Sequence, residues 1–515
     1  MRVALTVADF LNRAALVYGG RVALVDEPGV AGSLGTQTYG ELEARARGMA
    51  LALDGLGVGH GERVAIVSPN SGRFLTSYFG VSAFGRVLVP INFRLTADEI
   101  AYIVGHSGAS VLLYDPDLAG EVDRIKVSHR FCLDGVDDAT LFEPAPAGAA
   151  PEPWEPDENA TCSVNYTSGT TARPKGVQLT QRNCWLNATA FGWHTGVSDR
   201  DVLLHTLPMF HCNGWGMPYA VTGMGGTHIV LRKVDGEEIL SRIERHGVTL
   251  LCGAPAVVAA ILAAAETRTA EGRALPGRGT VRIVVAGAPP PSKTIERVEA
   301  ELGWEFIQIY GLTETAPLLT INRAPAEWDA LDAGARSVLL SRAGTPALGV
   351  QIAVDADGEV LARSNHVFAG YWEQPRETAE ALEGGWFHTG DGGHLDEAYV
   401  VISDRKKDVI ITGGENVSSI EVEDCLYQHE AVAEVAVIGV PDEKWGETIK
   451  ALVVVREGYD ASEEELIAHC RERLAHFKAP TSIELRVALD RTATGKLQKY
   501  KLRQPYWAGR ERFVN

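Results

Sequence analysis

The sequence is poor in several features that would assign it to other protein classes. Its seven cysteines are scattered and form no C-x-x-C pair, which favours free thiols in a reducing compartment and predicts a cytoplasmic protein. Basic residues are outnumbered, with 48 lysines and arginines against 67 aspartates and glutamates and a formal net charge of −19. Because a nucleic-acid-binding protein needs a basic surface to replace counterions, this balance argues against that class. No apolar run approaches the roughly 18 residues that span a bilayer, so no integral membrane association is expected.

What the chain does contain is the pattern of a globular α/β protein. Its 515 residues, 45% hydrophobic and 22% charged, exceed what one core usually serves and predict two or three domains. Strand-length apolar runs alternate with helical patterns; clear examples are strands at 63–69, 110–115, 249–255 and 282–291 and a helix at 237–246. Such alternation predicts parallel sheets covered by helices, with the active site at the carboxyl ends of the strands.

Two segments have the composition of loops or linkers. Residues 143–159 are rich in proline and alanine and are expected to bridge two lobes on the surface. Residues 403–416 form a charged run that leads into a short strand and a paired-glycine turn, after which about 100 residues have an α+β pattern. We therefore predict a large N-terminal domain of helix-covered sheets, residues 1–404, and a small, mobile α+β domain, residues 405–515.

The most informative segment is residues 166–177, which read YTSGTTARPKGV. Hydroxyl side chains around Gly169 let the backbone approach an anion closely, and Lys175 adds a mobile positive charge that can follow a phosphate. A polar surface turn often has the same composition, so the cluster alone leaves both interpretations open. The P-loop is excluded, because its G-x-x-x-x-G-K-S/T pattern needs a Lys preceded by Gly, whereas Lys175 follows Pro174.

This segment resembles the phosphate loop of the adenylate-forming (AMP-binding) superfamily, which includes acyl-CoA synthetases, luciferases and the adenylation domains of peptide synthetases. Ala172 departs from the glycine usual in that loop. Four further motifs follow in the superfamily's order: residues 310–314 read YGLTE, 386–391 WFHTGD, 404–408 DRKKD and 491–497 RTATGKL. A weaker match is the GAP triplet at 287–289.

The resemblance implies a role for each matching residue. ATP or AMP would be bound by Thr167, Ser168, Gly169, Thr170, Thr171, Lys175, Gly287, Ala288, Pro289, Tyr310, Gly311, Thr313, Asp391, Arg405 and Lys496. Within this set, Tyr310 would lie on the adenine, and Asp391 and Arg405 would contact the ribose. Lys496, Glu314, Thr170 and Lys175 would be catalytic, with Glu314 and Thr170 serving Mg²⁺. Lys407 would be the hinge, and Gly413, Gly414 and Glu415 would border the thiol tunnel.

Residues 207–215, LPMFHCNGW, resemble the acyl-pocket motif of fatty acyl-CoA synthetases. His211, Gly214 and Trp215 would border the acid, with Trp215 as a gate on the acyl channel. The segment carries no charged side chain to hold an ammonium group, which favours an unsubstituted acid over an amino acid. A short- to medium-chain fatty acid is expected, with long-chain and aryl acids left open.

The predicted activity is therefore an acid–thiol ligase that uses ATP and Mg²⁺ to make acyl-AMP and then transfers the acyl group to CoA. Lys496 is expected to serve adenylation only. Three alternatives stay open: a ligase that loads the phosphopantetheine arm of an acyl carrier protein, a luciferase-like oxidase, and a non-catalytic nucleotide-binding sensor. The sensor is disfavoured because Glu314, Asp391 and Lys496 are all present. A homodimer is possible.

Overall fold

The computed structural model describes residues 1–167, 174–287, 290–405, 408–412, 415–442, 445–491 and 497–508, without the side chains of Asp404, Arg405 and Asn416. These residues form four β-sheets, and the strands are numbered in chain order. The strands are β1 Val22–Val25, β2 Thr36–Thr38, β3 Arg63–Val67, β4 Val87–Ile91, β5 Val111–Tyr114, β6 His129–Cys132, β7 Thr161–Thr167, β8 Lys175–Thr180, β9 Val202–His205, β10 Thr227–Val230, β11 Leu250–Gly253, β12 Arg282–Val285, β13 Glu305–Gly311, β14 Leu318–Arg323, β15 Thr345–Pro346, β16 Val350–Val354, β17 Glu359–Ser364, β18 Gly370–Tyr371, β19 Phe387–Asp396, β20 Tyr399–Arg405, β21 Ile410–Thr412, β22 Glu415–Val417, β23 Val432–Asp442, β24 Gly446–Val455 and β25 Ser482–Leu485.

The α-helices of the described residues are numbered in the same way. They are α1 Ala8–Tyr18, α2 Tyr39–Gly55, α3 Gly72–Ser82, α4 Ala97–Ser107, α5 Ala119–Val122, α6 Ala139–Phe142, α7 Gln181–Thr195, α8 Met217–Met224, α9 Gly236–His246, α10 Pro255–Ala270, α11 Ser292–Arg297, α12 Ala333–Leu340, α13 Pro375–Ala381, α14 Ser419–Tyr427, α15 Glu463–Arg473 and α16 Lys499–Arg503. None of the helices in this part of the chain has both the length and the apolarity that crossing a bilayer requires.

Two large sheets, both mainly parallel, form the N-terminal part. The nine-stranded sheet has the order β15-β14-β13-β12-β11-β9-β10-β1-β2, and its strands from β13 to β1 are parallel. The seven-stranded sheet has the order β18-β8-β7-β4-β3-β5-β6, and its strands from β7 to β6 are parallel. The predicted α/β class is therefore confirmed, and Thr167, Gly287 and Tyr310 lie at or just beyond the carboxyl ends of β7, β12 and β13.

The apolar core of this part fills the space between the two sheets and also lies against their outer faces. The largest apolar cluster joins both sheets to α1, α2, α3, α7 and α8. Helices α9 and α10 cover the other face of the nine-stranded sheet, and α4 covers the other face of the seven-stranded sheet. Each layer removes an apolar face from water, which is the main force that stabilises such an arrangement.

Helix α9 shows why these elements form where the sequence predicts them. The Asp235 side chain accepts a hydrogen bond from the Glu238 backbone N–H, at 2.9 Å, and caps the first turn. Ile239, Leu240 and Ile243 recur at helical spacing and are buried. Gly247 then adopts a left-handed conformation, with φ +63°, which ends the helix.

One sequence-based expectation is wrong. Residues 143–159 contain no helix or strand and are mostly exposed, as expected of a loop, but they do not bridge two lobes. They lead from α6 into β7, and both β6 and β7 belong to the seven-stranded sheet. Proline-rich composition predicts an extended surface segment, whereas the elements that it joins depend on strand pairing between distant parts of the chain.

A smaller module follows the antiparallel four-stranded sheet β16-β17-β19-β20. The sheet of this C-terminal module has the order β22-β21-β24-β23, with β25 beside β24. Helices α14 and α15 pack on this sheet around a separate apolar cluster. Strands on the two sides of Arg405 thus belong to different sheets. The domain boundary near Arg405 remains a prediction that fits this division.

Candidate active site

The predicted phosphate loop joins two paired strands. Strands β7 and β8 are antiparallel neighbours, and Thr167 at the end of one lies opposite Lys175 at the start of the other. Ser168, Gly169, Thr170 and Thr171 lie outside the described residues. The pairing brings Thr167 and Lys175 together at the base of the loop.

Helix α4 supports the start of this loop. The His106 ring, through Nδ1, lies 2.8 Å from the Tyr166 hydroxyl oxygen, and the Tyr102 ring packs 5.3 Å from the His106 ring. Burial raises the pKa of Tyr166, so its hydroxyl keeps its proton at neutral pH. The sequence reasoning missed these contacts, since Tyr102 and His106 are separated from the loop by some sixty residues.

Lys175, Tyr371 and Glu314 form a connected group beside the loop. The Lys175 ammonium lies 4.7 Å from the centre of the Tyr371 ring, within the range of a cation–π contact. The Tyr371 hydroxyl donates a hydrogen bond to Glu314 Oε1 at 3.0 Å. Burial, and then the Glu314 charge, raise the pKa of Tyr371, which therefore remains a donor. This group orients the carboxylate that was predicted to serve a metal.

A second hydrogen bond joins two motifs that are far apart in sequence. The Tyr310 hydroxyl donates to Asp391 Oδ2 at 2.8 Å. Asp391 is buried on β19, where its backbone lies opposite Arg405 of β20, and its N–H donates to the Thr389 hydroxyl at 3.1 Å. The structure therefore places the predicted adenine and ribose residues within contact of each other.

Two glycines of the nucleotide motifs occupy restricted positions. A Cβ on Gly311 would lie 1.6 Å from the Pro317 carbonyl oxygen, so no larger residue fits there. Gly287 is exposed beyond the carboxyl end of β12, with φ +99°. Ala288 and Pro289 lie outside the described residues. Thr313 begins the short turn that carries Glu314.

The predicted acyl segment follows β9 and has an unusual backbone. Residues Cys212–Gly216 all have positive φ, including +56° at Gly214 and +55° at Trp215. Trp215 is only 3% exposed, and a Cβ on Gly214 would lie 3.1 Å from Pro218. His211, half-buried, directly precedes this run. The Cys212 sulfur lies 3.8 Å from the Thr313 carbonyl oxygen, which places the acyl segment next to the Glu314 turn.

The Asn70 side chain fixes the backbone that leads from β9 into the acyl segment. Its buried side chain donates to the carbonyl oxygens of His205 and Leu207 and accepts from the Met209 N–H, at 2.8, 3.0 and 2.7 Å. The sequence reasoning did not select Asn70. The sequence did offer one signal for Asn70: it comes just after the strand at 63–67, and active sites gather at the carboxyl ends of such strands.

The C-terminal motifs are only partly described. Lys407, Gly413, Gly414 and Lys496 lie outside the described residues, as does the Arg405 side chain. Glu415 is exposed and lies opposite Thr412 in the β21–β22 pair. Arg491 and Leu497, which flank the Lys496 segment, form an antiparallel bridge.

Among the described residues there is no cluster of three or more His, Cys, Asp or Glu side chains that could hold a metal by protein ligands alone. Thr170, half of the predicted metal pair, lies outside them. Glu314 offers an oxygen ligand of the kind that Mg²⁺ prefers, and Mg²⁺ commonly takes most of its ligands from water and substrate phosphates. Glu314, the described member of the predicted pair, therefore fits Mg²⁺.

Comparisons with known proteins agree with this geometry. The AMP-binding enzyme model matches residues 11–372, and the AMP-binding enzyme C-terminal domain model matches residues 421–496. The peroxisomal acetate/butyrate–CoA ligase AAE7 of Arabidopsis thaliana is 36% identical, over 97% of this chain and 94% of that protein. 4-Hydroxybutyrate–CoA ligase 2 of Metallosphaera sedula is 36% identical over the same shares.

The structural comparison gives the same result. The crystal structure of the anthranilate CoA ligase AuaEII in complex with anthranoyl-AMP superposes with a TM-score of 0.87 at 27% identity, over 98% of both chains. The cytoplasmic location remains a prediction, since one relative is described as peroxisomal. The substrates of this class are ATP, CoA and a small-molecule acid. The chain belongs to the family of AMP-binding enzymes and is an ATP-dependent acyl-CoA synthetase, an acid–thiol ligase.

Proposed function

We propose that this enzyme activates a short- to medium-chain aliphatic carboxylic acid and transfers the acyl group to CoA. The observation that carries the proposal is the acyl segment, whose Met209, Phe210 and Trp215 side chains are buried and uncharged. An apolar wall of this kind favours an unsubstituted chain over one with a charged group, because burying an unpaired charge is costly. The names of the two relatives, which act on acetate, butyrate and 4-hydroxybutyrate, point to the same size of acid.

In the first step a carboxylate oxygen attacks the α-phosphorus of ATP, and the bond to pyrophosphate breaks. Two anions must approach each other, so positive charge is needed where they meet. Lys175 supplies it at the loop, and Lys496 supplies it from the C-terminal domain while the acyl-adenylate forms. Mg²⁺, held by Glu314 and Thr170, would neutralise phosphate charge.

The nucleotide is held by the remaining motifs. The loop residues Thr167, Ser168, Gly169 and Thr171 surround the phosphates. Gly287, Ala288, Pro289, Tyr310 and Gly311 border the adenine, Thr313 contacts the α-phosphate, and Asp391 and Arg405 bind the ribose. The bond from Tyr310 to Asp391 fixes the carboxylate before the nucleotide arrives, which lowers the ordering cost of binding.

In the second step the CoA sulfur attacks the acyl carbon, and AMP leaves. The mixed anhydride must be kept from water in the interval, which calls for a closed site. The domains, residues 1–404 and 405–515, would rotate about Lys407, so that Gly413, Gly414 and Glu415 replace Lys496. A carrier-protein thiol is chemically equivalent to CoA, and no contact in the described residues favours it.

The chain-length proposal is tested by pyrophosphate release with ATP, Mg²⁺ and a ladder of acids from two to sixteen carbons, with and without CoA. We expect a maximum among the short acids and stimulation by CoA. Trp215→Gly should move the maximum toward longer acids, because it removes the indole, and glycine suits the φ of +55° at this position.

Trp215→Phe is the matched control and should keep the original maximum. An unchanged chain-length profile in Trp215→Gly would contradict the assignment of this residue to the acyl pocket. Activity confined to aryl or long-chain acids would contradict the substrate class. Release without stimulation by CoA would point to a carrier-protein acceptor.

A further inference from the structure

A side chain of the C-terminal module contacts the large N-terminal part. Asp424 of α14 accepts hydrogen bonds from the Ser292 N–H at 2.9 Å and from the Ser292 hydroxyl at 3.2 Å. Ser292 is the first residue of α11 and is only 8% exposed. The Asp424 carboxylate thus caps a helix that belongs to the other part of the chain.

Both sides of this contact lead to the predicted site. On one side, α11 begins three residues after Pro289, the last residue of the predicted adenine turn. On the other side, Glu423 next to Asp424 forms an ion pair with Lys499 at 2.8 Å, with both side chains 13% exposed. Lys499 also donates to the Ser419 hydroxyl. Helix α14 therefore contacts both the start of α11 and Lys499, the first residue of α16, which follows Lys496 by three residues in the sequence.

The exposure of Glu415 indicates which step this arrangement serves. Glu415 directly follows the glycine pair that would border the thiol tunnel, and it is exposed here. A Glu415 side chain engaged in the tunnel would be covered by the large domain. The contact between Asp424 and Ser292 therefore belongs to an arrangement in which Glu415 is not engaged.

We propose that Asp424 is a positioning residue for adenylation: it docks the C-terminal domain on the start of α11 and thereby holds the Lys496 segment toward the nucleotide. The contact breaks before thioester formation. This inference rests on the proposed two-step function and adds to it a named interdomain contact.

The test separates the two half-reactions. Adenylation is measured as ATP–pyrophosphate exchange with butyrate, and thioester formation is measured with synthetic butyryl-AMP and CoA. Asp424→Ala should lower exchange about tenfold, the size of effect expected from losing hydrogen bonds to a carboxylate, and leave thioester formation within about twofold of wild type. Asp424→Asn keeps an acceptor oxygen and should restore most of the exchange.

Glu421→Ala is the matched control, since Glu421 lies on the same helix and pairs with Lys478 inside the C-terminal module. It should leave both half-reactions near wild type. Lys496→Ala gives the reference rate of pyrophosphate exchange for an enzyme that has lost adenylation. Equal losses in both half-reactions, loss of thioester formation alone, or wild-type exchange in Asp424→Ala would overturn the proposal.

A second measurement does not depend on the reaction. Arg405, Lys406 and Lys407 form a trypsin site between the two modules. Cleavage there should be at least about threefold faster in Asp424→Ala than in wild type or Glu421→Ala, because the docked state is less populated. Equal cleavage rates would contradict docking by Asp424, whereas a wild-type enzyme without pyrophosphate exchange would contradict the proposed function instead.

Discussion

Tyr310 and Asp391 show how single residues prepare the site. The two side chains come from motifs about eighty residues apart, and one hydrogen bond of 2.8 Å joins them. The sequence predicted both residues as nucleotide contacts but not their contact with each other, because that requires knowing that the end of β13 approaches the middle of β19.

Replacing Tyr310 by phenylalanine should raise the KM for ATP about tenfold, since the Asp391 carboxylate loses a donor that fixes its direction. The KM for supplied acyl-AMP in thioester formation should rise as well, because acyl-AMP carries the same adenosine. Tyr399→Phe is the control, because Tyr399 lies at the far end of the same β19–β20 pair, opposite Asp396. Steady-state kinetics with varied ATP measure the effect; equal KM values in the two variants would refute this role.

Other residues that orient the site have no pattern in the sequence from which they could be predicted. Tyr371 belongs to a two-residue strand, too short for any periodicity, and acquires its role only when β18 pairs with β8. By contrast, Lys175 was selected from a short segment, 166–177, through its resemblance to the phosphate loop of the superfamily. Local patterns thus selected the candidate site residues, whereas the side chains that orient them depend on long-range pairing.

At the scale of elements, β9 and β10 contain a buried pair of histidines. His205 Nε2 lies 3.0 Å from His228 Nδ1, and the Thr222 hydroxyl lies 3.0 Å from His228 Nε2. Burial lowers the pKa of His205 to about 3, and burial, together with the neighbouring His205, lowers the pKa of His228 well below its usual value. Both rings are therefore neutral in the folded protein at pH values where they would be protonated in the unfolded chain.

This difference predicts an acid-dependent loss of stability. Above about pH 6.5 neither state binds protons at these rings, and their contribution is complete. Below it the unfolded state gains protons that the folded state does not, so the free energy of unfolding falls by about 1.4 kcal/mol per pH unit for each histidine. For His205 this continues until about pH 3.

Urea unfolding at pH values from 7.5 to 4.5 measures the slope. The His205→Gln/His228→Gln double variant should show a shallower fall with decreasing pH, whatever its stability at neutral pH. His246→Gln is a control on a less buried ring. An identical slope in the double variant and the wild type would show that the pair does not set this dependence.

Elements with strong local signals were predicted well. The helix expected at 237–246 is α9, Gly236–His246, and it ends at Gly247 as its composition indicates. The expected strands at 63–69 and 110–115 are β3 and β5. The destination of the 143–159 segment was predicted wrongly, because no local pattern encodes the order of strands in a sheet.

At the scale of the whole molecule, motif order predicted the family, and the alternation of strand and helix patterns predicted the α/β class. The arrangement of α14 against α11 could not be predicted, since it depends on surface contacts such as the one between Asp424 and Ser292 that have no periodic pattern. Strand ends of the two large sheets carry the phosphate, Tyr310 and acyl motifs, and the four-stranded sheet carries Asp391. The small module carries the residues proposed to alternate between the two steps.

The central claim, that the enzyme makes an acyl-CoA through an acyl-adenylate, is tested most directly by product stoichiometry. The wild-type protein is incubated with butyrate, ATP, Mg²⁺ and CoA, and the nucleotide and thioester products are quantified together. The account predicts one AMP and one pyrophosphate for each butyryl-CoA formed. ADP and phosphate as products, or AMP formed without any thioester across the ladder of acids, would contradict it.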